Sequence, residues 1–163
     1  MVRAAGTELS VNATAYQGTT PLVPRLPQIT KELGSDGRLI DDPDAVADLY
    51  LRQNAVAVTA HDLAIMAATL ANDGINPVSG MKVVSAAAAQ NIQSQLKSAR
   101  KGSSQWMSKA KIPASAGISG GILVVIPGRL GIAVYSPPLD AAGVSVRGQK
   151  AIHYLSQALM FTP

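Results

Sequence analysis

Two apolar segments joined by a tight turn constrain the fold of this chain more than any other feature. Residues 122–126 read Ile-Leu-Val-Val-Ile, and residues 130–135 read Leu-Gly-Ile-Ala-Val-Tyr. Between them, Pro127 and Gly128 suit the two central positions of a type II turn, the second of which needs a positive φ. The segments therefore predict an antiparallel hairpin. Because both strands are apolar throughout, we expect the sheet to be covered on both faces.

Helical patterns lie on both sides of this hairpin. Asp42, which precedes a proline, predicts one helix start, and Thr59, followed three residues later by an aspartate, predicts another. A third helix over residues 85–98 carries Val84, Ala88, Ile92 and Leu96 as an apolar stripe, and Ser145 is expected to cap a last helix. Helices, a short antiparallel sheet and a terminal helix define an α+β chain.

The proline-rich N-terminal stretch differs from these periodic segments. Pro21, Pro24 and Pro27 follow one another at three-residue spacing. Each proline lacks a backbone donor and biases the residue before it away from the helical region. We therefore expect no stable helix over residues 22–28.

Composition narrows the class of protein. The chain has 163 residues, of which 47% are hydrophobic. This hydrophobic content is enough to form one packed core, and it excludes a disordered chain. It contains no cysteine, so disulfides, thiolate metal sites and cysteine nucleophiles are excluded. Six aromatic residues and a net charge of +4 give little support to a nucleic-acid partner. No apolar run reaches membrane-spanning length, and the first residues contain no apolar leader, which predicts a cytoplasmic protein without a membrane partner.

Residues 113–140, from Pro-Ala-Ser-Ala-Gly-Ile-Ser-Gly-Gly to Ser-Pro-Pro-Leu-Asp, resemble the C-terminal signature of the bacterial glutaminases. These are serine-dependent amidohydrolases with a β-lactamase-like fold. The family's Gly-Asn-Ser-Val-Arg-Gly appears as residues 143–148, with Val144 in place of the asparagine. Further similar segments are residues 48–53, 58–64 and 68–77. The resemblance implies a partial β-lactamase/transpeptidase-like fold, in which residues 1–163 form a single domain truncated relative to the family.

The same resemblance assigns site residues. Tyr50 matches the family tyrosine near the nucleophile, and Ile118 stands where a backbone N–H completes the oxyanion hole. Other matching positions depart from the family. Thr19 and Leu26 replace the carboxylate and amide that hold the amino acid substrate, Arg100 replaces a second tyrosine, and Ser115 and Ala116 replace a lysine and a serine.

The family's nucleophile lies in a Ser-x-x-Lys motif in the first half of the family's sequence. That first half has no counterpart in this chain. Besides Ser79–Lys82, the motif occurs three times, at Ser94–Lys97, Ser98–Lys101 and Ser108–Lys111. With fourteen serines and seven lysines, roughly 0.6 matches are expected by chance. These copies lie late in a helix or in a polar segment, which favours coincidence over a nucleophile.

Other polar groups have an ordinary structural interpretation beside a functional one. His61 and His153 lack accompanying ligands, so exposed positions are favoured over a metal site or catalytic triad. The acidic group near residue 42 favours helix capping over metal binding. The basic segment around Trp106 favours a solvated loop with a buried ring over an anion-binding patch. The acidic group consists of Asp41, Asp42, Asp44 and Asp48.

The resemblance implies hydrolysis of L-glutamine to L-glutamate and ammonia, without a metal or organic cofactor and with impaired activity in the isolated chain. It also implies a partner, either another copy of the chain or the missing N-terminal half, because two family strands beside the last strand are not accounted for. The alternative is a non-catalytic module that binds a partner through the exposed sheet edge.

Overall fold

The computed structural model describes residues 2–19, 24–98, 112–117 and 119–161. The described residues fall into two compact units, the first within the ranges 1–8 and 59–163 and the second within the range 9–58. In chain order the elements are α1 (Val2–Ala5), α2 (Ala13–Thr19), α3 (Leu26–Ser35), α4 (Pro43–Asn54), α5 (Ala60–Ala71), α6 (Ala86–Ser98), β1 (Ala114–Ala116), β2 (Gly121–Ile126), β3 (Leu130–Tyr135) and α7 (Val146–Ala158). The prediction of a single domain stays a prediction.

The first unit is built on a three-stranded antiparallel sheet with the order β1-β2-β3. In its register Ala114 pairs with Val124, and Ile126 pairs with Leu130 across the turn. Gly128 has a φ of +69°, as the second central position of a type II turn requires. The predicted hairpin is therefore confirmed.

Helices cover both faces of this sheet. On one face Ile122 and Val124 of β2 are buried in a cluster with Ile152 of α7. On the other face Val125 is buried with Ala67 and Ala71 of α5. Alternate side chains of β2 thus enter two different cores, and the expectation of a doubly covered sheet is confirmed.

The predicted helix starts are confirmed by their caps. The carboxylate of Asp42 accepts the backbone N–H of Ala45 at 2.9 Å. The side chains of Thr59 and Asp62 each accept a backbone N–H from the other residue, which completes a capping box. Similar capping occurs at α7, where the hydroxyl of Ser145 accepts the N–H of Gly148 at 3.0 Å.

Two expectations about helices are correct only in part. Helix α3 begins at Leu26, so residues 26–28 are helical, because Pro27 occupies the first turn, where its missing N–H has no intrahelical partner to lose. The predicted stripe of α6 is confirmed at Val84, Ala88 and Leu96, which are half-buried, but not at Ile92, which is 36% exposed. The fully buried residues of α6 are Ala89 and Gln93, one position further along the chain. The Gln93 amide is drawn inward by donating to the Leu70 carbonyl at 2.7 Å. In the part of the chain that the structure describes, no helix is long and apolar enough to cross a membrane.

Candidate functional site

The second unit carries three of the predicted site positions. Tyr50 lies on α4 with 46% of its surface exposed, and its backbone carbonyl accepts a hydrogen bond from the Asn54 side chain at 2.8 Å. Leu26 is half-buried at the first position of α3. Thr19 is the last residue of α2. Tyr50 is therefore held on a helix while its ring is open to solvent.

A polar network two residues from Tyr50 links α2 to α4. The Tyr16 hydroxyl donates a hydrogen bond to one carboxylate oxygen of Asp48. The other oxygen accepts the Nε–H of Arg52 at 2.6 Å, and the Arg52 guanidinium carbon lies 5.5 Å from the Tyr16 ring centre. We call this set the Tyr16–Asp48–Arg52 network. It fixes the helix that ends at Thr19 to the helix that carries Tyr50.

The network changes the proton affinities of its members. The hydrogen bond to Asp48 is the main reason why the pKa of Tyr16 is raised. Hydrogen bonds from Tyr16 and then from Arg52 lower the pKa of Asp48. Each shift favours the protonation state in which phenol, carboxylate and guanidinium bond together.

We predict that Asp48→Asn lowers the pKa of Tyr16 toward the ordinary value of about 10. The reason is that the phenol loses its anionic acceptor and the neighbouring negative charge. The measurement is the pH titration of the Tyr16 ring carbon by NMR. Asp44→Asn is the matched control, because Asp44 lies on the same helix and contacts Lys31 at 3.9 Å. An unchanged Tyr16 pKa in Asp48→Asn would contradict the assignment.

The same shifts set the sign of the stability changes with pH. The contribution of Tyr16 is full below the ordinary tyrosine pKa and is lost as the pH rises through its raised pKa in the folded chain. The contribution of Asp48 is present above the ordinary aspartate pKa and is lost as the pH falls through its lowered pKa. Tyr16→Phe should reduce the stability loss at both ends of the pH range.

The first unit carries the other matched positions that are described. Ser115 and Ala116 lie in β1, where Ser115 is exposed and pairs with Leu123. Just beyond this strand the N–H of Gly117 donates to the carbonyl of Gly121 at 2.9 Å, so the ladder continues past β1. Ile118, the predicted oxyanion donor, and Arg100 lie outside the described residues.

The Ser94–Lys97 copy of the Ser-x-x-Lys motif has the geometry of an ordinary helix end. Ser94 and Lys97 lie in the last turns of α6, and the Ser94 hydroxyl donates to the Gln90 carbonyl at 3.0 Å. Ser98 is the last residue of α6 and its hydroxyl donates to the Gln95 carbonyl at 3.0 Å. Lys101 and the pair Ser108–Lys111 lie outside the described residues, as does Trp106.

The remaining polar candidates are engaged in structural contacts or exposed. Asp42 caps α4, as the capping interpretation predicts, whereas Asp48 is not a cap and belongs to the Tyr16–Asp48–Arg52 network. His61 is exposed in the first turn of α5, and His153 is exposed on α7. Across residues 2–19, 24–98, 112–117 and 119–161, no three His, Asp or Glu side chains are grouped as a metal ion requires.

The resemblance to the glutaminases points to Tyr50 but not to the network beside it. Asp48 and Arg52 are four residues apart, and this spacing predicts an ion pair on one helix face. Tyr16 is 32 residues from Asp48, so no local signal connects them. The missing information is the packing of α2 against α4.

Comparison with known proteins identifies the family. The doubly covered antiparallel sheet with its terminal helix is an α+β arrangement of the β-lactamase-like type, and solved glutaminase structures share it. The sequence profile of the glutaminases matches residues 1–162. The chain belongs to the glutaminase family.

Individual relatives support this assignment. Glutaminase 1 of Bradyrhizobium diazoefficiens is 44% identical over 156 residues, which cover 94% of this chain and 25% of that protein. The glutaminase of Colwellia psychrerythraea is 36% identical over 157 residues, covering 95% of this chain and 50% of that protein. The chain thus spans between a quarter and half of the length of these curated relatives.

Solved structures agree with the fold. The probable glutaminase ybaS matches with a TM-score of 0.88 and 32% identity, over 99% of this chain and 53% of that one. Mglu in its L-glutamate binding form matches with a TM-score of 0.86 and 36% identity, over 96% of this chain and 36% of that one. The predicted partial fold is confirmed.

Proposed function

We propose that this chain forms part of a glutaminase site, which converts L-glutamine and water to L-glutamate and ammonia, and that the chain alone has little or no turnover. The observation that most directly supports a glutaminase site is the family match over residues 1–162. The L-glutamate binding form of Mglu, at 36% identity, supports L-glutamine and L-glutamate as ligands. A cytoplasmic location is part of the same proposal, and cell fractionation tests it.

The chemistry explains why we expect impaired turnover. Amide hydrolysis through an acyl-enzyme needs a nucleophilic hydroxyl, a base that takes its proton, and donors that stabilise the oxyanion. The hydroxyls of Ser94 and Ser98 already donate to helix carbonyls on α6. The positions that match the family's site supply a tyrosine and a backbone donor, and oxyanion stabilisation without a nucleophile gives little rate.

We propose that Tyr50 contacts the reacting end of the substrate and that the Ile118 N–H serves as an oxyanion donor. The exposed ring of Tyr50 on α4 supports its assignment, since a phenol that faces solvent is accessible to a ligand. At the positions that hold the amino acid end in the family, Thr19 and Leu26 supply neither a carboxylate nor an amide. We therefore expect weak binding of L-glutamine.

Two measurements on the purified chain test this proposal. With L-glutamine we expect no ammonia release above buffer. With the electrophilic analogue 6-diazo-5-oxo-L-norleucine we expect no covalent adduct in the intact mass spectrum. A serine adduct together with turnover that Tyr50→Phe abolishes would show that the chain carries its own nucleophile and would overturn the proposed impairment.

A complementation experiment separates the glutaminase site from the non-catalytic alternative. The chain is mixed with the half of the Colwellia glutaminase that it does not match, and ammonia release is measured. We expect this mixture to release ammonia from L-glutamine. When the chain carries Tyr50→Phe, we expect the rate of ammonia release to be at least tenfold lower. Tyr154→Phe, which changes a 70% exposed tyrosine on α7, is the matched control and should leave it unchanged. Absence of both activity and L-glutamate binding in the mixture would favour the non-catalytic module.

A further inference from the structure

The chain contains two aspartate–glycine dipeptides, Asp36–Gly37 and Asp73–Gly74. An aspartate–glycine dipeptide rearranges without an enzyme when the backbone nitrogen of the glycine reaches the carboxyl carbon of the aspartate. Glycine favours this attack because it carries no side chain that hinders its nitrogen. Since the two dipeptides are chemically the same, a difference in their reactivity in the folded chain must come from their surroundings.

The first dipeptide forms an exposed turn at the end of α3, where Asp36 is the C-cap residue. The hydrogen bonds of this turn are local. The Gly37 N–H donates to the Gly34 carbonyl at 3.1 Å. The Arg38 N–H donates to the Leu33 carbonyl at 2.9 Å. A Cβ built on Gly37 would have no heavy atom within 4 Å, so space around its nitrogen is open.

The second dipeptide is enclosed by its own unit. Gly74 is buried, although the preceding Asp73 is exposed. Its N–H donates to the Thr69 carbonyl at 2.9 Å, and its carbonyl accepts the N–H of Val83 at 2.8 Å. A Cβ built on Gly74 would lie only 2.4 Å from the Val84 carbonyl oxygen. Gly74 is therefore held by the segments of chain on both sides of it.

These surroundings decide how easily the reacting atoms meet. The backbone ψ of Asp36 is 0°, so the Gly37 nitrogen reaches the carboxyl carbon only after rotation about the Cα–C bond of Asp36. This rotation breaks the bonds of one exposed turn at a helix end, where local opening costs little free energy. A comparable rotation at Asp73 displaces Gly74 from buried contacts. The reactive geometry is therefore reached more often at Asp36.

We propose that Asp36 is a site of succinimide formation and conversion to isoaspartate, from which the fold protects Asp73. In the first step the Gly37 nitrogen bonds to Asp36 Cγ, the carboxyl C–OH bond breaks, and the hydroxyl leaves with the N–H proton as one water. In the second step water adds to one of the two ring carbonyls and a ring C–N bond breaks. Opening at Cγ restores aspartate. Opening at the main-chain carbonyl links the chain through the side chain and frees the α-carboxylate.

The rearranged residue changes the end of α3. It adds one carbon to the backbone between two groups that are now hydrogen-bonded, since Arg38 and Leu39 both donate to the Leu33 carbonyl, at 2.9 and 3.0 Å. We expect both bonds to be lost. The freed α-carboxylate lies on the exposed turn. It is therefore accessible to an enzyme that methylates the carboxylate of β-linked aspartyl residues.

Incubation of the wild-type chain compares the two sites in one experiment. The purified chain is kept at neutral pH, and peptide mapping with electron-transfer fragmentation measures isoaspartate at Asp36 and at Asp73. In the folded chain we expect isoaspartate to accumulate at least tenfold faster at Asp36. In concentrated urea, which removes the local structure, we expect the two rates to agree within about twofold. No accumulation at Asp36, equal rates in the folded chain, or a tenfold difference that persists in urea would overturn the proposal.

Methylation gives the second readout. The probe is an isoaspartyl methyltransferase with labelled S-adenosylmethionine, which transfers a methyl group to the freed α-carboxylate. We expect the incubated chain to take up label and Asp36→Glu to take up at least fivefold less, because glutamate would have to close a six-membered ring. Asp44→Glu, at an exposed position of α4, is the matched control and should take up as much label as the wild type. Equal labelling of Asp36→Glu and the wild type would refute the assignment. Neither readout depends on glutaminase activity.

Discussion

Gly131→Ala is expected to lower the free energy of unfolding of the first unit by about 3 kcal/mol. A Cβ built on Gly131 would lie 2.2 Å from the Ala68 nitrogen and 2.5 Å from the Ala64 carbonyl oxygen. Both atoms belong to the backbone of α5, so no side-chain rotation relieves the overlap. Either α5 or β3 must move, and each is packed against the core.

Gly121→Ala is the matched control for this substitution. Gly121 lies in the neighbouring strand β2, and its added Cβ would be 3.7 Å from Leu63 Cδ1 and 3.9 Å from Ser119 Oγ, which is ordinary contact. We expect a change below about 0.5 kcal/mol, or a small gain from reduced chain entropy. Amide hydrogen exchange of β2 measures both variants within the first unit alone. Equal losses in the two variants would show that the close approach of α5 is not the cause.

Local rules account for the parts of the fold that the sequence predicted. The hairpin follows from two apolar segments and a turn within 14 residues, and the caps at Asp42, Thr59 and Ser145 each involve a residue three positions away. These contacts are formed by neighbours in the sequence. Their energetics therefore depend little on the rest of the chain.

Features that depend on contacts between residues far apart in the sequence were not predicted. Gly131 appears in the sequence as one glycine in an apolar strand, and only the approach of α5 shows why a side chain is excluded. Gln93 is polar but buried, because it reaches the Leu70 carbonyl at the end of another helix. In the candidate site, too, the sequence predicted a single residue but not a contact between distant parts of the chain. The family resemblance supplied Tyr50, whereas the bond from Tyr16 to Asp48 required the packing of α2 against α4.

Asn76→Ala is expected to lower the unfolding free energy by about 3 kcal/mol, because it leaves several backbone groups without partners. Asn76 is fully buried, and its side-chain nitrogen donates to the carbonyls of Arg3 and Ala4 at 3.1 and 3.0 Å. Its side-chain oxygen accepts the N–H groups of Val78 and Ser79 at 2.9 and 3.0 Å. One amide thus joins α1 to the loop after α5. Urea unfolding followed by hydrogen exchange in α5 measures the loss.

Asn72→Ala is the control for this loop, since the exposed Asn72 side chain makes one hydrogen bond, to the Ile75 carbonyl at 3.0 Å. We expect it to lower the unfolding free energy by about 1 kcal/mol or less. A loss as large as that of Asn76→Ala would indicate that any truncation in the loop is damaging. The hydrogen bonds of Asn76 between α1 and the loop would then not be the cause of the loss.

Asn76→Asp separates hydrogen bonding from side-chain volume, because the two residues are nearly equal in size. The carboxyl group can still accept from Val78 and Ser79, but when ionised it faces the carbonyls of Arg3 and Ala4 with no proton to donate. Burial and these carbonyls raise its pKa above that of the unfolded chain. Its stability relative to the wild type is therefore highest below the ordinary aspartate pKa and falls as the pH rises through the raised value. We expect a loss of about 2 kcal/mol at pH 8 that shrinks at pH 4. If the difference in unfolding free energy between Asn76→Asp and the wild type did not change with pH, the hydrogen bonds donated by Asn76 to α1 would be contradicted.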